Sequence, residues 1–251
     1  NNVTKNGWGI SLSGSSNTIF QNSITHNSIG IELYCSGPNI ISDNNVIGNN
    51  YSGILVEFSQ DDRIYHNNFI NNEKQVRFSE AVDGRALNTV WDNGYPFGGN
   101  FWDDYNGTDF FKGSAQNETG GDGIGDTPYN FDKDNRDKYP LMGIFSDLNA
   151  TSEYHAQTIC NSSISNFQFN GTALIFNVSG QQGTLGFCTI TIPHTPSFKP
   201  PFTILVNNEP PLYNDTIFDG LVFTSIYFTY EHSSKEIMII PEFPSFLILS
   251  L

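Results

Sequence analysis

The run GGDGIGDTPYNFDKDNRDKYP, Gly120 to Pro140, holds five aspartates among glycines and prolines and almost nothing that packs a core. Asp122 and Asp126 stand four apart around flexible glycines, and Asp132, Asp134 and Asp137 follow in DKDNRD. Carboxylates on a pliable loop are hard oxygen donors, and calcium takes about six to eight of them. These five aspartates are therefore a candidate calcium set, the ion acting as a structural brace. The helix–loop–helix calcium pattern does not fit: counting from Asp132, Arg136 takes the fifth position, no glycine stands at the sixth and no glutamate closes the loop. A solvated acidic turn, held by backbone hydrogen bonds and its own tyrosines, uses the same residues without a metal.

Just upstream, WDNGYPFGGNFWDDYNGTDFF interleaves turn signals with large aromatics. Trp91, Tyr95, Trp102 and Tyr105 are candidate glycan-binding residues, because their flat faces stack on pyranose rings while their polar tips hydrogen-bond. The same side chains would also plug the open end of a β-structure. Of the three cysteines, Cys160 and Cys188 fall in one expected domain. A disulfide between them would close a loop contributing roughly 3–4 kcal/mol. Cys35 reads as a small buried thiol. Nothing in the chain suggests an organic cofactor.

Catalysis needs more than this. A polysaccharide lyase would use a basic residue beside acidic calcium ligands, and Arg63, Lys74, Arg77 and Arg85 form no file with carboxylates. A glycoside hydrolase needs two carboxylates roughly 5–10 Å apart, for which Asp43, Asp61 and Asp62 are the candidates. Asp61-Asp62 also reads as a plain turn before Ile64.

The elements that carry these residues can be read from composition and period. The chain has 251 residues, is 37% hydrophobic and 15% charged, and is rich in phenylalanine and tyrosine, a profile of β-structure rather than disorder or a charged bundle. A net charge of −15 excludes nucleic acid as a partner, because a phosphate backbone needs a basic surface. Nine acids against three bases lie between Asp103 and Asp137, so about six of the fifteen negative charges sit there. Nine Asn-x-Ser/Thr sequons, beginning at Asn2 and ending at Asn214, agree with an exported glycoprotein.

Self-similarity decides the N-terminal fold. NGWGISLSGSSNTIFQNSITHN aligns with NSIGIELYCSGPNIISDNNVIGN and with NYSGILVEFSQDDRIYHNNFINN. Gly9-Ile10, Gly30-Ile31 and Gly53-Ile54 recur, as do Ile19, Ile41 and Ile64, then Ile24, Val46 and Phe69. Asn22, Asn44 and Asn67 keep the step, and so do Asn27, Asn49 and Asn72, while a fourth copy begins at Val76 and Phe78 and loses the pattern. The apolar runs are too short for helices. What remains is a coil of short strands, each coil stacking on the next by parallel pairing. The recurring asparagines stack their amides at the turns.

These motifs resemble the right-handed parallel β-helix repeats of NosD-like proteins, also described as carbohydrate-binding and sugar-hydrolase repeats, over residues 1–90. Residues 90–142 look like the segment that closes the β-helix in many archaeal NosD-like surface proteins, a module whose resemblance implies no catalytic role. NosD relatives suggest copper, yet His26, His66, His155, His194 and His232 are scattered and only two methionines are present, which makes no copper set. From SISNFQFNG to KEIMII, six or seven alternating strands separated by turns predict a small antiparallel β-sandwich. It is similar to a domain that follows such repeats in archaeal surface proteins. Pro241, Glu242 and Phe243 resemble the Pro-Glu-Phe sorting signal of those proteins, in which a membrane helix follows. Here the apolar run reaches only Leu251, short of the roughly 20 residues that span a bilayer, so a truncated anchor is expected. A chain that enters in mid-coil is expected to continue a longer solenoid.

The combined expectation is an all-β protein: a right-handed parallel β-helix with 22–23-residue coils over 1–90, a loop-rich aromatic and acidic cap over 91–146, a β-sandwich over 147–240 and a sorting tail over 241–251. As a function it predicts a non-catalytic, surface-anchored extracellular display or adhesion module. Its partners would be a polysaccharide or glycoconjugate and other cell-surface proteins, with the membrane reached only through the missing anchor. The alternative is a carbohydrate-active enzyme with its groove on upstream coils; a copper-maturation factor comes last.

Overall fold

The computed structural model describes residues 1–79, 88–151 and 154–242. They form two compact units, residues 1–146 and 147–251. Arg85, and Phe243 with the rest of the expected tail, lie outside the described residues. Every regular element described is a strand, and no helix among the described residues is long and apolar enough to cross a membrane.

The first unit is a parallel β-solenoid. Its strands are β1 Asn2–Thr4, β2 Trp8–Leu12, β3 Thr18–Phe20, β4 Ser23–Thr25, β5 Ile29–Tyr34, β6 Ile40–Ser42, β7 Asn45–Ile47, β8 Ser52–Glu57, β9 Arg63–Tyr65, β10 Asn68–Ile70, β11 Val76–Phe78 and β12 Phe101–Trp102. They pair into three sheets, β1-β4-β7-β10-β12, β2-β5-β8-β11 and β3-β6-β9. The register stacks like on like: Ile10 on Ile31 on Ile54 on Val76, Ile19 on Ile41 on Ile64, and Val3 on Ile24 on Val46 on Phe69. From Ile24 and Ile31 onward to Phe69 these files are fully enclosed.

The corners explain the asparagines. Gln21, Asp43 and His66 adopt left-handed backbone angles with φ of 53°, 58° and 58°, a conformation that costs a non-glycine residue roughly 1 kcal/mol or more. The residue after each is an asparagine whose side chain bonds the corner. Asn44 Nδ2 donates to Ser42 O in its own coil and to Ile19 O in the coil below, at 2.8 and 2.9 Å. Glycine recurs before the inner isoleucine because the coils approach closely there. A Cβ on Gly30 would lie 2.4 Å from Gly53 O.

The fourth coil is longer than the repeat suggests. β11 pairs with β8, Val90 bridges to Arg63 of β9, and β12 pairs with β10, setting Trp102 in register on Phe69. The step from Phe69 to Trp102 is almost half as long again as the step from Val46 to Phe69. The expected cap thus supplies the last coil, and only then turns into two short ribbons, β13 Phe111–Lys112 with β14 Glu118–Thr119 and β15 Tyr129–Asn130 with β16 Arg136–Asp137.

The second unit packs two antiparallel sheets around one core. β17 Ile144–Thr151, β18 Tyr154–Cys160, β21 Leu185–Pro193, β24 Phe223–Glu231 and β23 Tyr213–Asp219 form one, in the order β17-β18-β21-β24-β23. β19 Ser163–Phe169, β20 Leu174–Ser179, β25 Lys235–Pro241 and β22 Phe202–Val206 form the other, in the order β19-β20-β25-β22. Ala156, Ile190 and Phe228 from the first meet Phe176, Ile204 and Ile237 from the second. β17, β18 and β23 add to the strands expected from sequence. β23 is an edge strand with mostly polar exposed positions, so alternation did not mark it.

Candidate functional site

The amide ladders set the geometry of the first unit. Asn22 N and Nδ2 both donate to Asn44 Oδ1 at 3.0 Å, Asn44 N and Nδ2 to Asn67 Oδ1 at 3.1 and 2.9 Å, and Asn67 N and Nδ2 to Asn100 Oδ1 at 3.1 and 2.9 Å. A backbone N–H and an amide N–H converge on each acceptor, which fixes every side-chain amide with its oxygen toward the preceding coil. The run ends on Asp137, whose Oδ2 accepts from Asn100 N at 2.8 Å. A shorter ladder, Asn17 to Asn39, ends on Asp62. A third runs through Asn27, Asn49, Asn72 and Gln75 and ends on Asp103. A carboxylate accepts and does not donate, so each directed chain stops at the one side chain suited to stop it.

Asp137 also organises the cap. Its carboxylate is fully buried and accepts from Trp102 Nε1 at 2.9 Å and Tyr139 N at 3.0 Å. Gly99 is required beside it, because a Cβ there would lie 2.0 Å from Asp137 Oδ1. Around this group Trp102 stacks on Phe69 with centroids 4.4 Å apart, and Tyr129, Phe131 and Trp91 close over it.

The other acids of the loop act separately. Asp109 accepts from Asp122 N and Gly123 N at 2.9 and 2.8 Å; Asp122 accepts from Gln116 Nε2 and Ile124 N at 2.9 and 3.0 Å. Asp126 holds Thr108 Oγ1, Phe110 N and Phe111 N. Asp132 folds its own turn by accepting from Asp134 N and Asn135 N, and exposed Asp134 lies 3.5 Å from Lys133. The candidate calcium set is therefore dispersed: Asp122, Asp126, Asp132 and Asp137 each hold backbone N–H groups of different segments, and Asp134 is exposed beside Lys133. Among the described residues no group of three or more His, Cys, Asp or Glu side chains is arranged to hold a metal ion. Asp109, which sequence reading did not single out, is the residue that folds GDGIGD.

Burial perturbs these groups. It pushes Asp137 up to about 7 against its three N–H donors, Asp109 to about 7 and Asp122 to about 6, helped in Asp109 by the charges of Asp122 and Asp126. Burial moves His66 the other way, down to about 4, against its hydrogen bond to Phe97 O. The ring stacks on Phe145 at 4.0 Å and is 2% exposed. The aspartates bind protons more tightly folded than unfolded, so acidification below 7 favours the fold. His66 binds them less tightly folded, so its contribution falls as pH drops from 6.5 toward 4. Between pH 8 and pH 6 the acids contribute roughly 3 kcal/mol and His66 returns about 1. The first unit is therefore expected to melt higher at pH 6 than at pH 8; a flat or falling midpoint would contradict the buried-carboxylate account.

The candidate glycan residues separate. Trp91 and Trp102 are each 1% exposed, with their faces against aromatic neighbours, so neither offers a surface to a sugar ring. Half-buried Tyr105 donates to Thr127 O at 2.6 Å, and half-buried Tyr95 lies against Tyr139. The four do not make one platform. Cys35 is exposed at a left-handed corner rather than buried.

Exposed aromatics gather instead on the solvent side of the β2-β5-β8-β11 sheet. Since Ile10, Ile31, Ile54 and Val76 point inward, the adjacent file Ser11, Glu32, Leu55 and Arg77 points out. Trp8 is 57% exposed, yet it is held: its Nε1 donates to Glu32 Oε1 at 3.0 Å, and Ser11 Oγ donates to Glu32 Oε2 at 2.5 Å. The Arg77 guanidinium lies 4.3 Å over exposed Tyr51. Tyr34 pairs in register with Glu57 and packs edge-on against Phe58 at 6.4 Å, both rings exposed. The signal was in the sequence as aromatics and glutamates on the non-repeating positions of each coil, where a search for repeats does not look.

Residues 1–107 match the family model described as periplasmic copper-binding protein (NosD). No curated protein and no solved structure matches the chain. The described residues do not fit the copper of that description: His66 is buried and bonded to a carbonyl, and the described donors gather in no group of three.

Proposed function

We propose that this NosD-type solenoid is a non-cytoplasmic, non-catalytic display module that binds a glycan on the outer face of β2-β5-β8-β11. The carrying observation is Trp8, a large aromatic kept in solvent and fixed there by Glu32. A pre-positioned ring loses little freedom when a ligand stacks on it. Pyranose rings offer an apolar C–H face to Trp8, Tyr34 or Tyr51, and hydroxyls to Glu32, Glu57 and Arg77. A net charge of −15 disfavours polyanions, so the ligand class is a neutral polysaccharide or glycoconjugate.

Titration of the full chain against neutral and uronate-rich polysaccharides tests this. Trp8→Ala should weaken binding to the neutral ligand by tenfold or more, as loss of a central aromatic anchor does. Affinity unchanged by Trp8→Ala and Tyr51→Ala, or a preference for polyuronates, would overturn the assignment. Hydrolysis is a second reading with one observation in its favour. Glu32 pairs with Leu55 and Glu57 with Tyr34, a diagonal that sets the two Cα atoms about 8 Å apart by strand geometry. Glycosidases hold their two carboxyl groups roughly 5–10 Å apart, and side chains on such a diagonal reach that separation. Release of reducing ends, lost in Glu32→Gln, would replace the binding reading with this one.

A further inference from the structure

In the second unit, Cys160 of β18 stands directly opposite Cys188 of β21. At the adjacent position Asn161 N–H reaches Phe187 O at 3.4 Å, and Phe187 N–H is taken by Asn161 Oδ1 at 2.8 Å. Hydrogen-bonded and non-hydrogen-bonded pairs alternate along an antiparallel ladder. The cysteines therefore occupy a non-hydrogen-bonded pair, where Cα atoms lie about 4.5 Å apart and side chains approach most closely. That falls inside the Cα span of a disulfide. Both side chains face the core, 1% and 0% exposed, and both are thiols.

The two sulfurs are not equivalent. Cys160 Sγ is 3.4 Å from Tyr230 Oη, which lies 2.8 Å from Ser162 Oγ, which lies 2.7 Å from His232 Nε2; His232 Nδ1 is 2.5 Å from Thr184 Oγ1. The far end fixes the direction. Thr184 donates to Gln181 O at 2.7 Å, so it accepts from His232 Nδ1–H. Nε2 then accepts from Ser162, leaving the Ser162 oxygen to accept from Tyr230. Hydrogen bonding from Cys188 holds the Cys160 thiol down to about 7 against burial, while burial drives Cys188 well above the usual thiol range. Cys160 is the last residue of its strand, and His232 and Thr184 line a 600 Å³ surface cleft with Leu185, Leu212 and Lys235. The polar run connects the buried sulfur to solvent at that end of the sandwich.

We propose that Cys160 and Cys188 are a redox-active dithiol that closes into an intra-sheet disulfide by exchange with a small disulfide, with Cys160 the attacking sulfur. The Cys160 thiolate attacks one sulfur of the small disulfide, forming a mixed disulfide and expelling the first thiolate. Cys188 then attacks the Cys160 sulfur and expels the second. Two electrons pass from the protein pair to the small disulfide, and the two protons of the cysteines end on the two expelled thiolates.

The test incubates the full chain with oxidised glutathione, denatures it in an alkylating agent without reductant, and maps the peptides. The expected result is a Cys160–Cys188 cross-link lighter by two hydrogens, with exposed Cys35 outside it. Cys188→Ser should trap glutathione on Cys160, whereas Cys160→Ser should leave Cys188 unmodified. Reductant should lower the melting midpoint of the second unit by about 10 °C or more in the oxidised wild type only. Both cysteines recovered as alkylated thiols would overturn the proposal, and glutathione trapped on Cys188 rather than Cys160 would overturn the assignment of the attacking sulfur. Because the wild-type map decides the first question, a core variant that fails to fold does not shield it.

Discussion

Replacing Asn67 by alanine is expected to lower the stability of the solenoid unit by about 4 kcal/mol or more. Asn67 is fully buried and makes five side-chain hydrogen bonds. It accepts from Asn44 N and Nδ2 and donates to Ile41 O, Tyr65 O and Asn100 Oδ1. Each bond contributes only about 1 kcal/mol net, but stranding a buried backbone N–H costs about 1–3 kcal/mol on its own. Asn67→Asp should be worse still. It keeps the acceptor that Asn44 needs, but it removes both N–H donors and sets an acceptor against Asn100 Oδ1 and two carbonyls. The polarity of the ladder thus predicts a sharp asymmetry, because an aspartate is the native residue two steps further on, at position 137. All three tryptophans, Trp8, Trp91 and Trp102, lie in the first unit, so tryptophan fluorescence in urea reads this unit selectively. Similar midpoints for Asn67→Ala and wild type would show that the ladder carries little of the stability.

Trp102→Ala is expected to cost a similar amount, about 4 kcal/mol, by a different route. Here the loss is packing. The indole fills the space between Phe69, Tyr129, Phe131 and Trp91, and the short side chain leaves a void that the surrounding coils cannot close. It also removes one of three N–H donors from the Asp137 carboxylate. Trp102→Phe separates the two contributions. The stack on Phe69 survives while the N–H is lost, so a cost of about 1–2 kcal/mol is expected, together with a melting midpoint that depends more steeply on pH. Urea denaturation of both variants at pH 8 and pH 6 checks it. Equal costs for Ala and Phe would mean that the hydrogen bond, not the packing, dominates.

The solenoid was legible from sequence because its inward residues and its corner asparagines obey one period. Ile19, Ile41 and Ile64 announce a file before any coordinate is known. The last coil was not legible. Its Trp102 stacks on Phe69 across a step longer than the repeat, so an inserted stretch broke the period while the contact survived. The aromatic segment was correctly rich in ring residues, but a composition of tryptophan and tyrosine does not say which side faces solvent. That depended on Asp137, far along the chain from Trp102. The hydrogen bonds of the acids in GDGIGD were not legible for a related reason: most of their partners are backbone N–H groups, which no residue code displays. The outward face failed to show because Glu32 and Glu57 share no register position. Glu32 pairs with Leu55, and Glu57 pairs with Tyr34. Only once the coils are stacked do the two glutamates become diagonal neighbours.

The carboxylate ends of the ladders bear on how such a protein changes length over evolutionary time. The joints upstream of Asp62 are amide to amide, so duplicating or deleting one whole coil there recreates a joint of the same kind and leaves no mismatched group. The carboxylate joints at Asp62, Asp103 and Asp137 are different, and each belongs to one place in the stack. Gain and loss of coils is thus tolerated among the coils that precede the one carrying Asp62, while that coil and the stretch that supplies Asp103 and Asp137 must be inherited as fixed blocks. Lineages should differ in length by whole coils upstream of these blocks.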